Sequence, residues 1–297
     1  MSLNQKGGPG TSRRLTPPLK CHVDGGKQDL AKWIISLMPE RCKTPNNPSP
    51  TDLGWLAYVE PYFGGGAILL AQNPEGISEV ANDLNGDLMN FWMQLQSADT
   101  FHDFKRIVDT IPFSEGEWKF SSRASVFGTD TDRAVNFFVK CRQSLAGRMT
   151  GFASISRRRT RGGMNEQVSA WLNAIEGLPA VHARLKRVLI LNRPALDVIR
   201  EQDGPRTLYY CDPPYLHETR VTTSEYGEFE MTEKEHDYLL QTLGNIEGKF
   251  ILSGYRSELY DTAAEAFGWN RHEKKIHNHA SGAKTKPVMT ECCWTNF

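Results

Sequence analysis

Residues Val59 to Ala67 read VEPYFGGGA, the end of an apolar strand followed by a glycine turn that enters a helix. Glycines at such a turn let a ligand come close to the backbone. The next strand candidate, Ile77 to Ala81, is followed by Asn82 and then by Asp83. A carboxylate in this position can accept hydrogen bonds from both hydroxyls of a ribose. A strand, a glycine turn, a helix and a strand that ends in an acid predict the start of an α/β nucleotide-binding sheet.

The glycine cluster is compatible with more than one role. The glycines could serve only the close packing of a helix, which requires no ligand. A phosphate-binding loop is disfavoured, because no Lys-Ser or Lys-Thr pair follows the glycines. The pattern alone therefore fits any nucleotide or nucleoside cofactor.

The α/β pattern is interrupted once along the chain. A first core helix is predicted over Gln28 to Met38, and residues 99–187 then change to helices and basic loops. We predict a flexible tail of residues 1–18, a doubly wound, Rossmann-like α/β domain formed by residues 19–98 and 188–297, and a helical insert of residues 99–187. The insert helices are placed around Arg133 to Leu145, Asn165 to Ile175 and Val181 to Arg187. The other strands are predicted over Leu56 to Val59, Val188 to Leu191, Thr207 to Cys211, Lys249 to Ser253 and Met289 to Thr295. The helices after the insert are predicted over Ala195 to Glu201, Glu233 to Leu243 and Ser257 to Phe267.

The composition excludes several classes of protein. With 297 residues, of which 39% are hydrophobic, the chain can bury a sizeable core and is not expected to be disordered. Its 35 basic and 35 acidic residues cancel, so only a local patch of charge can attract a polyanion. The six cysteines contain no C-x-x-C pair and are interpreted as reduced thiols of a cytoplasmic protein. The longest apolar stretch, Trp33 to Met38, is too short to cross a bilayer, and residues 1–18 lack the apolar core of a secretion signal.

A second motif follows the most apolar strand candidate. Leu208 to Cys211 stops abruptly at Asp212-Pro213-Pro214-Tyr215, so a buried strand delivers a carboxylate and a rigid turn to the carboxyl edge of the sheet, where ligands bind. The two prolines fix the backbone and hold the neighbouring carbonyls in one orientation. The Asp212 carboxylate and the Pro213 carbonyl could hold the protons of an exocyclic amine, and Tyr215 offers a face for stacking. Taken alone, the tetrapeptide could equally be a plain turn after a strand.

Together these segments resemble the Dam-like family of adenine-N6 DNA methyltransferases, in particular its stand-alone phage and mobile-element type. The resemblance extends from about Leu19 to Phe297 and includes the Asp24 to Lys27 segment near the start of the chain. It implies S-adenosylmethionine as the methyl donor, a methyltransferase domain with a helical target-recognition insert, and no metal. It also implies a catalytic role for Asp212, Pro213, Pro214 and Tyr215, and cofactor contacts for Gly25, Lys27, Glu60, Tyr62, Gly64, Gly66, Asp83 and Asp212.

Contacts to double-stranded DNA are expected from arginines in the insert. A charge run is usually a solvated face, but this one lies beside a proposed base-flipping site in an otherwise neutral chain. We expect a lid over the target base within His217 to Glu230. A monomer is expected, and a separately encoded restriction endonuclease is the candidate genetic partner. The predicted DNA-binding residues are Lys27, Arg142, Arg148, Arg157, Arg158, Arg159 and Arg161.

Other activities have less support. Cytosine-N4 methylation presents a similar amine to a similar tetrapeptide, and a DNA-binding relative with impaired catalysis is the alternative of a different class. Methylation of a protein amide would favour Asn over Asp at position 212. His272, His277 and His279 have only Glu273 as a nearby acid, so no metal site is predicted there. No nucleophile elbow supports hydrolytic chemistry.

Overall fold

Strands alternate with helices along most of the chain, as the sequence pattern predicts. In the computed structural model, the described residues are 27–45, 52, 54–124, 128–153, 159–219, 227–277 and 288–297. Seven strands form one sheet in the order β5-β2-β1-β6-β7-β9-β8, and β3 and β4 form a separate two-stranded hairpin. The strand bounds are β1 Ala57–Glu60, β2 Ser78–Asn82, β3 Thr160–Arg161, β4 Met164–Asn165, β5 Val188–Leu191, β6 Thr207–Cys211, β7 Lys249–Gly254, β8 Asn270–His277 and β9 Val288–Thr295.

The strands β5, β2, β1, β6 and β7 run parallel, and β9 is antiparallel to both of its neighbours. The chain leaves β1 towards β2 and β5, and then returns to place β6 on the other side of β1. The order of strands therefore reverses between β1 and β6. Ligands of open α/β sheets bind in the crevice at such a reversal, beyond the carboxyl ends of the strands.

The sheet is buried on both faces, which the apolar runs of its parallel strands require. Alternate residues of each strand enter different apolar clusters: Tyr58 and Tyr210 belong to one, and Val59 and Tyr209 belong to the other. Helices on each side complete these clusters, so the doubly wound arrangement is confirmed. The helices are α1 Lys27–Leu37, α2 Gly86–Gln96, α3 Ala98–Val108, α4 Glu115–Ala124, α5 Asp130–Arg142, α6 Glu166–Leu185, α7 Ala195–Glu201, α8 Glu233–Gly244 and α9 Glu258–Phe267.

The helices α3 to α6 lie in the segment predicted as an insert. Their buried aromatic residues Phe104, Phe138 and Trp171 share one apolar cluster with Tyr58 and Leu208 of the sheet. The cluster therefore continues from this segment onto the sheet. The division of residues 99–187 from the rest as a recognition insert stays a prediction.

Two predictions of local secondary structure were wrong, one in the predicted insert and one after β1. The region predicted as two helices is the single helix α6, which continues through Pro179 because Ile175, Leu178 and Val181 keep one buried face continuous. The glycine turn after β1 leads into a 3-10 turn, Leu69–Ala71, and not into an α-helix. Pro74 lies three residues beyond that turn, and proline lacks the amide that a longer helix would need.

Two further predictions concern the environment of the chain. No helix among the residues that the structure describes has the length and apolar character needed to span a membrane. The five described cysteines are buried and form no disulfide with one another, whereas Cys21 lies outside the described residues. Cys292 and Cys293, adjacent on β9, enter the two different clusters, as expected for neighbouring residues of a strand.

Candidate active site

The carboxyl ends of β1, β2 and β6 bring most of the predicted site residues to one edge of the sheet. Glu60 is the last residue of β1, Asp83 follows β2 and Asp212 follows β6. The electrostatic influence of Asp212 contributes to the raised pKa of Glu60, so these two carboxyl groups lie close enough to interact. Three acids therefore surround the crevice at the reversal of strand order.

The loop after β1 depends on glycine for its shape. Gly64 and Gly66 have φ angles of 50° and 67°, which side chains disfavour. A Cβ atom at Gly66 would also come within 2.7 Å of the Phe63 ring, whereas nothing lies within 4 Å of one at Gly64. The indole Nε1 of Trp92 donates to the Gly64 carbonyl over 3.0 Å. The hydrogen bond from Trp92 thus fixes the loop on one side, while the space beside the Gly64 Cα stays open.

Asp83 connects this loop to the end of β2. Its carboxylate accepts hydrogen bonds from the backbone amides of Gly64, over 2.9 Å, and Asn85, over 3.0 Å. The Leu84 amide also interacts with this carboxylate. A carboxylate offers about four lone-pair positions, so about one or two are left for the hydroxyls of a ribose. Burial raises the pKa of the Asp83 carboxyl.

Asn82 was missed as a positioning residue by the sequence analysis. It is buried, and its amide nitrogen donates to the carbonyls of Pro61 and Arg193, each over 3.0 Å. Its carbonyl oxygen accepts from the Arg193 amide over 2.9 Å. Asn192, beside Arg193, donates to the carbonyls of Asp83 and Leu84. The only sequence signal was a carboxamide at the end of an apolar strand.

Glu60 is buried at the base of the crevice. Its carboxylate accepts a hydrogen bond of 2.8 Å from the Tyr58 hydroxyl. Burial raises the pKa of the Glu60 carboxyl to about 8, although the hydrogen bond from Tyr58 acts in the opposite direction. A nearby cation would favour the ionised form of this carboxyl. Tyr62 lies on the same loop, partly buried against the second apolar cluster.

The Asp-Pro-Pro-Tyr tetrapeptide leaves β6 with Asp212 partly exposed and Tyr215 buried. The Tyr215 hydroxyl donates to Oε1 of the buried Glu291 on β9. Its ring meets Tyr255 edge to face, with 4.8 Å between ring centroids. With an exposed fraction of 3%, the ring has no open face in this structure, so stacking on Tyr215 stays a prediction.

Comparison with known proteins shows to which family the chain belongs. The model of the D12 class N6 adenine-specific DNA methyltransferases matches residues 24–278. The chain belongs to this D12 class. The Dam-like resemblance of the sequence is thereby confirmed.

Two further comparisons concern curated proteins and solved structures. No curated protein matches this D12-class chain. Among solved structures, the crystal structure of SMU.472, described as a putative methyltransferase complexed with SAH, is 13% identical, with a TM-score of 0.34. The match covers 90% of the D12-class chain and 52% of the other, so the chain spans about half the length of that solved structure.

The arginines predicted to bind DNA fall into two groups in this D12-class chain. Arg148, Arg159 and Arg161 are exposed, and Arg161 lies on the β3 to β4 hairpin. The Arg142 guanidinium is instead largely buried and donates to the Ala170 carbonyl over 2.8 Å, which holds α5 against α6. The prediction that Arg142 binds DNA is therefore wrong, because its guanidinium is turned inward.

Several predicted site residues fall at or beyond the edges of the described ranges. Gly25, Arg157 and Arg158 lie outside the described residues, as do residues 220–226 of the predicted lid. Lys27 is the first residue of α1. Among the residues that the structure describes, no three His, Cys, Asp or Glu side chains form a group that could hold a metal ion.

Proposed function

We propose that the chain transfers a methyl group from S-adenosylmethionine to the N6 amine of an adenine that is flipped out of double-stranded DNA. One observation carries the proposal: Asp212 leaves β6 at the reversal of strand order, beside the Glu60 carboxyl and the crevice where the glycine loop is bound to Asp83. Membership of the D12 class supports adenine over cytosine as the target.

The residues of the crevice suit this cofactor. S-adenosylmethionine supplies an activated methyl group on a sulfonium centre. We assign its ribose to Asp83, whose carboxylate already orders the Gly64 loop and has acceptor positions left over. The open space at Gly64 permits close approach to the backbone, and the buried carboxyl of Glu60 suits a positively charged ligand. Tyr62, Gly66 and Asp212 complete the proposed set, with Gly25 and Lys27 from the start of the chain.

Asp212 and Pro213 prepare the target amine. The lone pair of an exocyclic amine is delocalised into its ring, which makes the nitrogen a poor nucleophile. Hydrogen bonds from its two N–H groups to the Asp212 carboxylate and the Pro213 carbonyl favour a pyramidal, nucleophilic nitrogen. As this nitrogen bonds to the methyl group, the C–S bond breaks and S-adenosylhomocysteine leaves as the neutral thioether. The methylated amine then loses one proton to the Asp212 carboxylate. Pro213 and Pro214 fix the backbone, so these acceptors are oriented before the base arrives. With an activated donor, correct alignment of the amine contributes much of the rate, and no covalent enzyme intermediate is required.

Base flipping requires a surface that receives the extruded base. Extrusion costs a few kcal/mol, and stacking on an aromatic ring returns about 1–3 kcal/mol. We assign the stacking role to Tyr215. Because its ring is buried against Tyr255, the segment that covers it must move when DNA binds.

The remaining assignments concern partners. We propose that residues 99–187 form the target-recognition insert, with Arg148, Arg157, Arg158, Arg159 and Arg161 on DNA phosphates. The protein is proposed to act as a cytoplasmic monomer, and the buried cysteines of the described part of the chain, which form no disulfide with one another, are compatible with a reducing compartment. A separately encoded restriction endonuclease is the proposed genetic partner, and a cell that carries the gene without such a nuclease would contradict that pairing.

One experiment separates the candidate functions. The protein is incubated with labelled S-adenosylmethionine and duplex DNA, and the DNA is digested to nucleosides. Labelled N6-methyladenine is expected, N4-methylcytosine would support the rival target, and unlabelled DNA would contradict the enzyme proposal. Asp212→Ala is expected to abolish transfer while cofactor affinity, measured by calorimetry, is largely retained. Survival of methylation in this variant would overturn the role of Asp212.

A further inference from the structure

A pocket of about 570 Å³ lies where three segments of the chain meet. Its walls come from the start of α2, from α5 and Met149 of the predicted insert, and from Phe229 in the segment after the catalytic tetrapeptide. Its volume is within the range of about 300–1,000 Å³ that is usual for ligand pockets. The lining residues are Asn85, Gly86, Asp87, Asn90, Arg133, Phe137, Lys140, Met149 and Phe229.

The pocket adjoins the active site described above. The Asn85 amide donates to the carboxylate of Asp83, so one wall is bound to the proposed ribose acid. Phe229 approaches from the chain that follows Asp212 and Tyr215. A ligand in this pocket would therefore touch both halves of the catalytic domain and the insert at once.

One face of α5 gives the pocket its charge. Arg133, Phe137 and Lys140 are spaced four and three residues apart, which places them on the same side of the helix. The Arg133 guanidinium pairs with Asp130 over 2.5 Å, and Asn90 of α2 donates to the Asp130 carbonyl, so the two walls are bonded to each other. Lys140 pairs with no acid among the described residues.

The apolar side of the pocket has an unusual backbone. Met149 has a φ angle of 57°, and within the described ranges it is the only residue other than glycine with a positive φ. Its amide donates to the Ser144 hydroxyl over 3.0 Å, which holds this conformation. Non-glycine residues in this region of φ/ψ space cluster at ligand sites. Met149 thus joins the rings of Phe137 and Phe229 as a wall that suits a sugar or a base.

We propose that this pocket holds one nucleotide of the DNA strand beside the methylation site, with its phosphate on Lys140 and its sugar and base against Phe137, Met149 and Phe229. A cation that pairs with no acid in the described part of the chain and the aromatic rings together match the chemistry of a nucleotide. Asp87 is the one acid in the lining, and Arg133 is paired with Asp130, so Lys140 is the cation that is left for a phosphate. The inference rests on the proposed function and adds a DNA contact beyond the arginines assigned to phosphates there.

The test uses a short duplex that contains the sequence methylated in the experiment above. Dissociation constants are measured for the wild type, Lys140→Gln and the control Lys119→Gln over a range of salt concentrations. Lys119 lies on α4 in the same segment, exposed and paired with Glu115. Removal of one phosphate contact lowers the slope of log affinity against log salt by about 0.9, so the decrease in affinity between about 50 and 200 mM salt becomes about 3.5-fold smaller. Lys119→Gln is expected to keep the wild-type slope.

A second variant tests the apolar side. Phe229→Ala is expected to weaken binding by the same factor at every salt concentration, because it removes a stacking contact and no charge. If Lys140→Gln keeps the wild-type slope while the wild type methylates DNA, the inference is wrong and the proposed function stands. If Lys140→Gln instead weakens S-adenosylmethionine binding at an unchanged DNA slope, the pocket belongs to the cofactor and the inference is also overturned. A wild type that neither binds nor methylates DNA would overturn both.

Discussion

The Tyr215 hydroxyl donates a hydrogen bond to the Glu291 carboxylate in the interior of the protein. This bond joins the last residue of the Asp-Pro-Pro-Tyr tetrapeptide to β9, which is seventy-six positions further along the chain. Both side chains are no more than 3% exposed. The orientation of the tetrapeptide is thus set partly by a residue that lies far from it in sequence.

Glu291→Leu is expected to impair catalysis more than cofactor binding. Without its acceptor, the buried Tyr215 hydroxyl loses a partner, which should cost about 1–3 kcal/mol of unfolding free energy. The methylation rate constant should fall while the dissociation constant of S-adenosylmethionine changes little. Glu291→Gln keeps an acceptor oxygen and should restore most of the rate. Equal rates for the Leu and Gln variants would show that Glu291 does not position Tyr215.

The stability of the cofactor-free protein should depend on pH through Glu60. Its carboxyl has a pKa of about 8 in the folded protein, against an ordinary value of 4.5, so the folded state keeps a proton that the unfolded chain releases. The contribution of Glu60 to the free energy of unfolding is complete below about pH 4.5 and is lost as the pH rises towards 8. The decrease is at most about 1.4 kcal/mol per pH unit.

Urea unfolding of the wild type and Glu60→Gln at several pH values measures this slope. The variant is expected to show a flatter dependence over that interval. Burial raises the pKa of Asp83 as well, so this group also makes stability decrease as the pH rises. Asp83→Asn is therefore measured beside Glu60→Gln to separate the contributions of the two carboxyl groups. An identical slope in the wild type and Glu60→Gln would contradict the prediction.

The buried ion pair between Arg184 and Glu79 should make the stability of the protein depend on both partners, because either charge alone would be buried without its counterion. Arg184 on α6 donates to both carboxylate oxygens of Glu79 on β2 and to the Leu69 carbonyl, and both side chains are nearly fully buried. Removal of one partner leaves a buried charge, so Arg184→Leu should lower the unfolding free energy by about 3–5 kcal/mol. The double variant Arg184→Leu with Glu79→Leu should be destabilised by less than the sum of the two single effects. Additive effects in denaturant titrations would exclude the coupling.

The arginines assigned to DNA phosphates should control the salt dependence of DNA binding. Replacement of Arg157, Arg158 and Arg159 by alanine is expected to weaken binding to all sequences and to flatten the salt slope by about 0.9 for each phosphate that is no longer neutralised. Arg142→Ala should instead keep the slope and reduce thermal stability, because that guanidinium holds α5 against α6. A triple variant with the wild-type slope would place the DNA elsewhere.

Much of the fold could be predicted from local patterns. The strands of the parallel sheet and the helices after it were placed within one or two residues, because each apolar run ends at a residue that stops it. Thr207 to Cys211 ends at Asp-Pro-Pro, for example, and the Ser257 side chain begins α9 by accepting from the Tyr260 amide. The single helix through Pro179 was missed, since its continuity depends on packing against the sheet and not on local propensity.

Local sequence was enough to predict the order of the motifs, the carboxylates at the strand ends and the rigid turn after β6, because these features depend on neighbouring residues. The three-dimensional packing was needed to show that Glu291 anchors Tyr215, that Asn82 joins two loops, that the Arg142 guanidinium is largely buried and that Lys140 faces a pocket with Phe229. Each of these contacts joins residues that are distant along the chain or depends on which face of a helix turns inward. Such contacts are fixed by the packing of elements against one another, which a local pattern does not contain.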